Sequence, residues 1–102
     1  MIDPFLLFDY LIRAVGYAAR IYELLILANV IMSWVRPDPY NPVVRFIKGA
    51  TEPVIDLVRR SLPFLRAGAI DFSPIVVLLL LRLFSTVLIS ALESVRNAAL
   101  VD

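Results

Sequence analysis

The sequence predicts an all-α membrane protein, a two-span antiparallel helical hairpin whose Pro-rich connecting loop holds two short amphipathic interfacial helices. Three observations carry that prediction. Apolar residues make up 61% of the 102-residue chain and charged ones 19%, against roughly 45–50% and 25% in a soluble domain. Mean hydropathy is +0.86, and so short a chain has too little interior to hide that many apolar side chains from water. The apolar residues also gather into two long stretches, parted by a segment that holds five of the seven prolines.

The first helix is expected from about residue 4 to 35, spanning at 14–35. Asp3-Pro4 supplies a capping carboxylate and a proline for the first turn. At about 1.5 Å per residue such a helix reaches roughly 48 Å, longer than a hydrocarbon core, so its first turns project. Tyr17 and Trp34 stand near the two ends of the span, where amphipathic rings prefer the headgroup level. A secretory leader is the rival reading. It lacks both a basic start and a small-residue cleavage site, so the whole chain is taken as mature.

Residues 36–72 form the loop, where prolines and glycines forbid a long helix. Asn41 and Pro42 start a short helix over about 42–50, with Val43, Val44, Phe46, Ile47 and Ala50 on one side and Arg45 and Lys48 on the other. Thr51 caps a second over about 52–62, with Val54, Ile55, Leu57, Val58 and Leu62 opposite Asp56, Arg59 and Arg60. Helices this short are marginal alone in water. Laid apolar side down among headgroups they are stable, and a small self-packed cap is the alternative. The second span covers about 73–93, with Arg82 the only charge between Ser73 and Leu92, Pro74 in its first turn, and Ser73 or Asp71 as cap.

Six basic residues lie in the loop (Arg36, Arg45, Lys48, Arg59, Arg60, Arg66), while the ends beyond the spans offer Arg13 and Arg96. Positive-inside bias therefore puts the loop in the cytoplasm and both termini outside. A net charge of +1 argues against direct nucleic-acid binding. Cysteine and histidine are both absent, which removes disulfides, thiol nucleophiles, and the commonest general base and metal ligands. No cofactor or metal is expected, and no catalytic residue.

Arg20, Glu23 and Arg82 are charges where a bilayer tolerates few. Asp9, Arg13, Gly16, Arg20 and Glu23 fall within about 80° on the first helix, and Arg82, Ser85, Thr86, Glu93 and Arg96 within a similar arc on the second. Antiparallel packing then predicts a Glu23–Arg82 contact, within one protomer or between two, and brings Glu93 toward Arg13 or Arg20. Such stripes either weld the helices together or line a water-filled path in an oligomer. Asn29 and Ser33, on the other side of the first helix, are expected to hydrogen-bond to a neighbouring helix or partner.

The order Ser33-Trp34, Asn41-Pro42, Thr51-Glu52-Pro53, Arg59-Arg60, Pro63, Gly68, Asp71, Ser73-Pro74-Ile75 resembles the YGGT (YlmG) family of small integral membrane proteins, over about Tyr22 to Leu92. The chain departs from the family where Asn29 replaces a frequent arginine, and where Pro63 to Ile70 replaces a richer proline and double-glycine turn. The resemblance implies a bacterial plasma membrane protein, or a plastid relative. It further implies a role in cell division and envelope functions, or, in plastids, in haem attachment and nucleoid distribution. Without His or Cys the chain itself is a poor haem ligand, with Tyr and Met as weaker candidates.

From the residues themselves, Arg59 and Arg60 suit lipid phosphate or acidic groups on a partner. Glu52 favours a helix start, and Asp71 either caps the second span or pairs with Arg59/Arg60. The leading expectation is a non-catalytic assembly or scaffold factor touching anionic lipid headgroups and another membrane protein, or itself as a homo-oligomer. The alternatives are a homo-oligomeric channel or carrier lined by Arg20, Glu23 and Arg82, and a hydrolase using Glu52, Asp56 and Asp71. In the last, interleaved arginines would neutralise the acids.

Overall fold

A computed structural model describes residues 3–68 and 70–101 of the chain; Ala69, inside the Pro63–Ile70 stretch, lies outside the described residues. Helix α1 covers Pro4–Val35. Asp3 Oδ1 accepts the Phe5 N–H at 3.0 Å, and Pro4 takes the first position, where a missing N–H costs nothing. The helix stops at Arg36, whose backbone turns left-handed (φ 54°) and donates its N–H to the Met32 carbonyl at 2.8 Å. Pro37 follows, which cannot continue a helix.

The loop contains one helix where two were expected. Helix α2 runs unbroken over Pro42–Ser61, starting where Asn41 Oδ1 accepts the Val43 N–H at 2.8 Å, and it passes straight through Pro53. Thr51 is therefore no cap. Its hydroxyl donates back to the Ile47 carbonyl at 2.7 Å, inside the helix. Pro53 removes one N–H from the ladder, leaving the Gly49 carbonyl without its usual donor. The Tyr22 hydroxyl, reaching across from α1, donates to the next carbonyl, that of Ala50, at 2.8 Å. Tertiary contact at this turn offsets a local cost that sequence reasoning treats as a stop.

After α2 come a short 3₁₀ turn, Pro63–Leu65, and a two-rung antiparallel ladder of β1 (Arg66–Ala67) and β2 (Ile70–Asp71), in the register Arg66↔Asp71 and Ala67↔Ile70. Gly68 takes the left-handed backbone (φ +63°) that this tight reversal needs. Helix α3 covers Ser73–Val101. Ser73 lies inside its first turn; the cap role falls to Asp71, whose Oδ1 accepts the Ser73 N–H at 2.9 Å.

Helices α1 and α3 run antiparallel, since Glu23 meets Arg82 and Asp9 meets Arg96. Helix α2 packs on both through a small core of Ile26, Ile55 and Val77, one residue from each helix, flanked by Tyr22, Val58, Leu78 and Leu81. The radius of gyration is 17.6 Å and the extents 56 × 32 × 16 Å, against about 13 Å for a compact chain of this length. Among the described residues only Ile26, Val44, Ile55 and Val77 are buried apolar side chains. The most apolar stretches of α1 and α3 are 11% and 6% buried, where the core helix of a soluble protein would be mostly covered. The fold is thus mostly helical, with two exposed helices long and apolar enough to cross a membrane.

Candidate functional site

Two polar assemblies interrupt this apolar surface. The first ties α2 to the ends of the hairpin. Asn29, almost fully buried on α1, donates through Nδ2 to Thr51 Oγ1 at 2.9 Å and to Glu52 Oε1 at 3.1 Å. These bonds reach the neighbouring helix α2 of the same chain, one of the two kinds of partner the sequence allowed for Asn29. Ser33 is also turned inward on its own helix, donating to the Val30 carbonyl at 2.6 Å. The bonded pair carries a testable consequence. Asn29→Ala leaves the buried Thr51 and half-buried Glu52 oxygens short of a donor and should cost about 1–3 kcal/mol, read as a lower unfolding midpoint in detergent micelles.

At the other end of α2, Arg59 grips Asp71. Its Nε donates to Asp71 Oδ2 at 2.8 Å and its Nη2 approaches the same oxygen at 2.6 Å, while Nη1 pairs with Asp56. Asp71 meanwhile holds the start of α3 through Oδ1. One carboxylate therefore joins two helices. Burial works to raise the Asp71 pKa, but hydrogen bonds from Ser73 and Arg59, with the Arg59 charge, outweigh it and hold the carboxyl below its usual range. For Arg59, burial opposes the charge, and the bond to Asp71 with the nearby charges of Asp71, Asp56 and Glu52 overcomes that and strengthens its hold on the proton. Arg60 is separate: it is exposed and reaches only its own helix, Nε to the Asp56 carbonyl at 3.4 Å.

The second assembly lies along the hairpin. Arg82 Nε is 3.3 Å from Glu23 Oε1, with the Glu23 side chain 21% exposed and that of Arg82 73%. Arg82 is the tenth of the twenty residues from Ser73 to Leu92, which is mid-depth for a helix crossing a bilayer. A charge there costs roughly 2.5–3.5 kcal/mol on insertion scales, so a single neighbour on one nitrogen leaves it undersupplied. Towards the far end, Asp9 takes Arg96 and Arg13, each at 3.2 Å, and the Arg96 guanidinium sits 5.1 Å from the centre of the Phe5 ring. Asp9 thereby displaces Glu93 from the role expected for it. Among the described residues neither Glu93 nor Arg20 has an ion-pair partner.

The remaining motif residues divide by position. Trp34 is exposed at the end of α1, and Asn41 with Pro42 begins α2. Pro53 marks the turn served by Tyr22, and Pro74 occupies the first turn of α3. Ser73 is fully buried, with a hydroxyl that finds no partner among the described residues. Sequence reasoning missed Tyr22 altogether, although a tyrosine amid apolar residues, one helix away from a mid-helix proline, was its available signal. An apolar cleft of about 210 Å³ opens among the three helices, lined by Tyr22 with residues of α2 and α3, and a second of about 310 Å³ runs along Arg13, Gly16, Tyr17 and Arg20. Among the described residues no cluster of His, Cys, Asp and Glu could hold a metal.

Two long exposed apolar helices and an amphipathic third, tied by buried polar bonds, fit an α-helical membrane protein. Comparison with known proteins narrows this class. The CCB3/YggT family model matches residues 8–92, and the chain belongs to that family. It is 35% identical over 78 residues to the uncharacterized protein PA0392 of Pseudomonas aeruginosa, and 29% identical over 70 residues to the uncharacterized protein YggT of Escherichia coli K12. Those alignments cover 76% and 69% of this chain but 39% and 36% of the relatives, so the chain spans under two-fifths of their length. No solved structure matches it.

Proposed function

We propose that this protein is a non-catalytic scaffold of a bacterial plasma membrane, or of a plastid membrane in an organellar relative. In this reading α1 and α3 cross the bilayer as a hairpin, α2 lies at the cytoplasmic face, and both termini are outside. Its task is assembly of membrane complexes linked to cell division or the envelope, with α2 as the surface that meets anionic headgroups and a partner membrane protein. One observation carries the reading. Helix α2 is fixed to the hairpin on its inner side, while its outer side presents exposed Val43, Phe46 and Leu57 beside exposed Arg45, Lys48 and Arg60. A rigid apolar strip edged with cations suits a surface of lipid phosphate and protein.

The test is pulldown of the full chain from native membranes, with proteins and lipids read by mass spectrometry. One defined partner protein, lost with Phe46→Glu or Arg60→Glu, is expected. Recovery of phospholipid alone, unchanged by either substitution, defeats the scaffold role. A homo-oligomeric channel or carrier is the second reading, favoured by Arg20, which lines the cleft along α1 and has no ion-pair partner among the described residues. Ion flux in liposomes, altered by Glu23→Gln in an otherwise intact oligomer, would promote it.

A further inference from the structure

The Glu23–Arg82 contact leaves most of the arginine unused. Only Nε meets Glu23, at 3.3 Å, and the side chain is 73% exposed, so both terminal nitrogens and their four N–H groups face outward. On the membrane reading above, on which this inference rests, that outward direction is hydrocarbon at mid-depth. Lipid tails offer no acceptor, and an intramembrane charge is stable only against protein or water. Another chain at the same depth can supply the missing acceptor.

This molecule carries such an acceptor itself. Because Glu23 and Arg82 touch, they lie at one depth, and a two-fold axis along the membrane normal preserves depth. Rotating one hairpin onto another about that axis sets α1 of each against α3 of the other, with Arg82 facing the partner's Glu23, twice over. The same operation makes a second rung. The pairs Glu23–Arg82 and Asp9–Arg96 set the register of the hairpin, which brings Glu93 level with Arg13. Among the described residues Glu93 is exposed with no ion-pair partner, and the Arg13 side chain is 64% exposed. Leu79, Thr86 and Glu93 share the Arg82 side of α3 within about 60°, and all are exposed. The Thr86 hydroxyl and the Glu93 carboxylate on such a face suit contact with another helix better than contact with lipid tails.

We propose that two copies of this chain pair face to face in the bilayer, Arg82 of each against Glu23 of the partner subunit, with Glu93 and Arg13 as an outer rung. The contact is isologous and closes at two copies.

The test exploits that reciprocity. Two full-length chains with different tags are made, one bearing Arg82→Glu and the other Glu23→Arg. Each is reconstituted alone and mixed in vesicles of phosphatidylethanolamine and phosphatidylglycerol, and subunits are counted by single-molecule photobleaching. The unmodified chain is expected as a dimer. Each variant alone sets like charges together and should dimerise at least about tenfold more weakly. The mixture should recover dimers containing one of each, because both rungs at mid-depth then join opposite charges. Where a charge-reversed chain fails to insert, Arg82→Gln and Glu23→Gln replace it, with the same expected loss. An unmodified chain that counts as a monomer, or variants that self-associate like the unmodified chain, overturns the proposal. So does crosslinking from position 82 in native membranes to a different protein instead of a second copy. A monomer that stays inserted refutes the dimer alone, whereas release of the chain by alkaline carbonate refutes the membrane reading beneath it.

Discussion

Replacing Ile55 with alanine is expected to loosen α2 from the hairpin, at a cost of about 2–4 kcal/mol. Ile55 is 1% exposed and is the α2 member of the core trio with Ile26 and Val77. Truncation opens a hole in the cluster where all three helices meet, and among the described residues few other apolar side chains are buried to absorb the loss. The flanking Tyr22 is held in place by its bond to the Ala50 carbonyl, which limits its collapse into the hole. Amide exchange of α2 in lipid nanodiscs should rise, while α1 and α3 hold their protection. Uniform loss of protection in all three helices would show that α2 is not a separable layer.

The second large effect belongs to Asp71, where one side chain serves two helices. Asp71→Asn keeps the shape but removes the charge that Arg59 grips, and should cost about 1–3 kcal/mol, at the lower end because the carboxylate is 23% exposed. Acid should mimic the substitution. The folded-state pKa of Asp71 is depressed, so its contribution is complete above the ordinary carboxylate value near 3.9 and fades as pH falls through the lower, folded value. Between about pH 5 and 8 the α2–α3 junction should be indifferent to pH. Melting curves in detergent should show the unmodified chain losing its advantage over Asp71→Asn only below about pH 4. A difference that disappears at neutral pH would contradict the assigned pairing.

The ends of the long helices were legible because local chemistry decides them: Asp3 with Pro4, and Asn41 with Pro42, are caps that need no tertiary help. The interior of the loop was not. Pro53 reads as a boundary in any sequence window, yet α2 runs through it, and the turn before it is held by the Tyr22 hydroxyl, 28 residues upstream of the Ala50 carbonyl it bonds. Thr51 fails as a cap for the same reason, since its partners are Ile47 within α2 and Asn29 on another helix. The charge stripes were visible as stripes, yet their pairing depends on rotation and register. Asp9 stands where it can take both Arg13 and Arg96, which periodicity alone cannot rank against Glu93. Arg59 and Arg60 look equivalent in sequence, but their positions are about 100° apart around a helix, so only one reaches Asp71.

The 59-residue separation between Glu23 and its cation has a consequence for biogenesis. Synthesis at roughly 5–20 residues per second means that about 3–12 seconds pass before Arg82 leaves the ribosome after Glu23 has done so. Throughout that interval α1 carries an acidic group whose cation is not yet made, whereas the amide at Asn29 waits only for Thr51 and Glu52, 22 and 23 residues further on. A nascent helix in that condition is better kept at a protein-lined or hydrated insertion site than released sideways into lipid. The two spans are thus suited to entering the membrane together, as a preassembled unit, rather than one after the other.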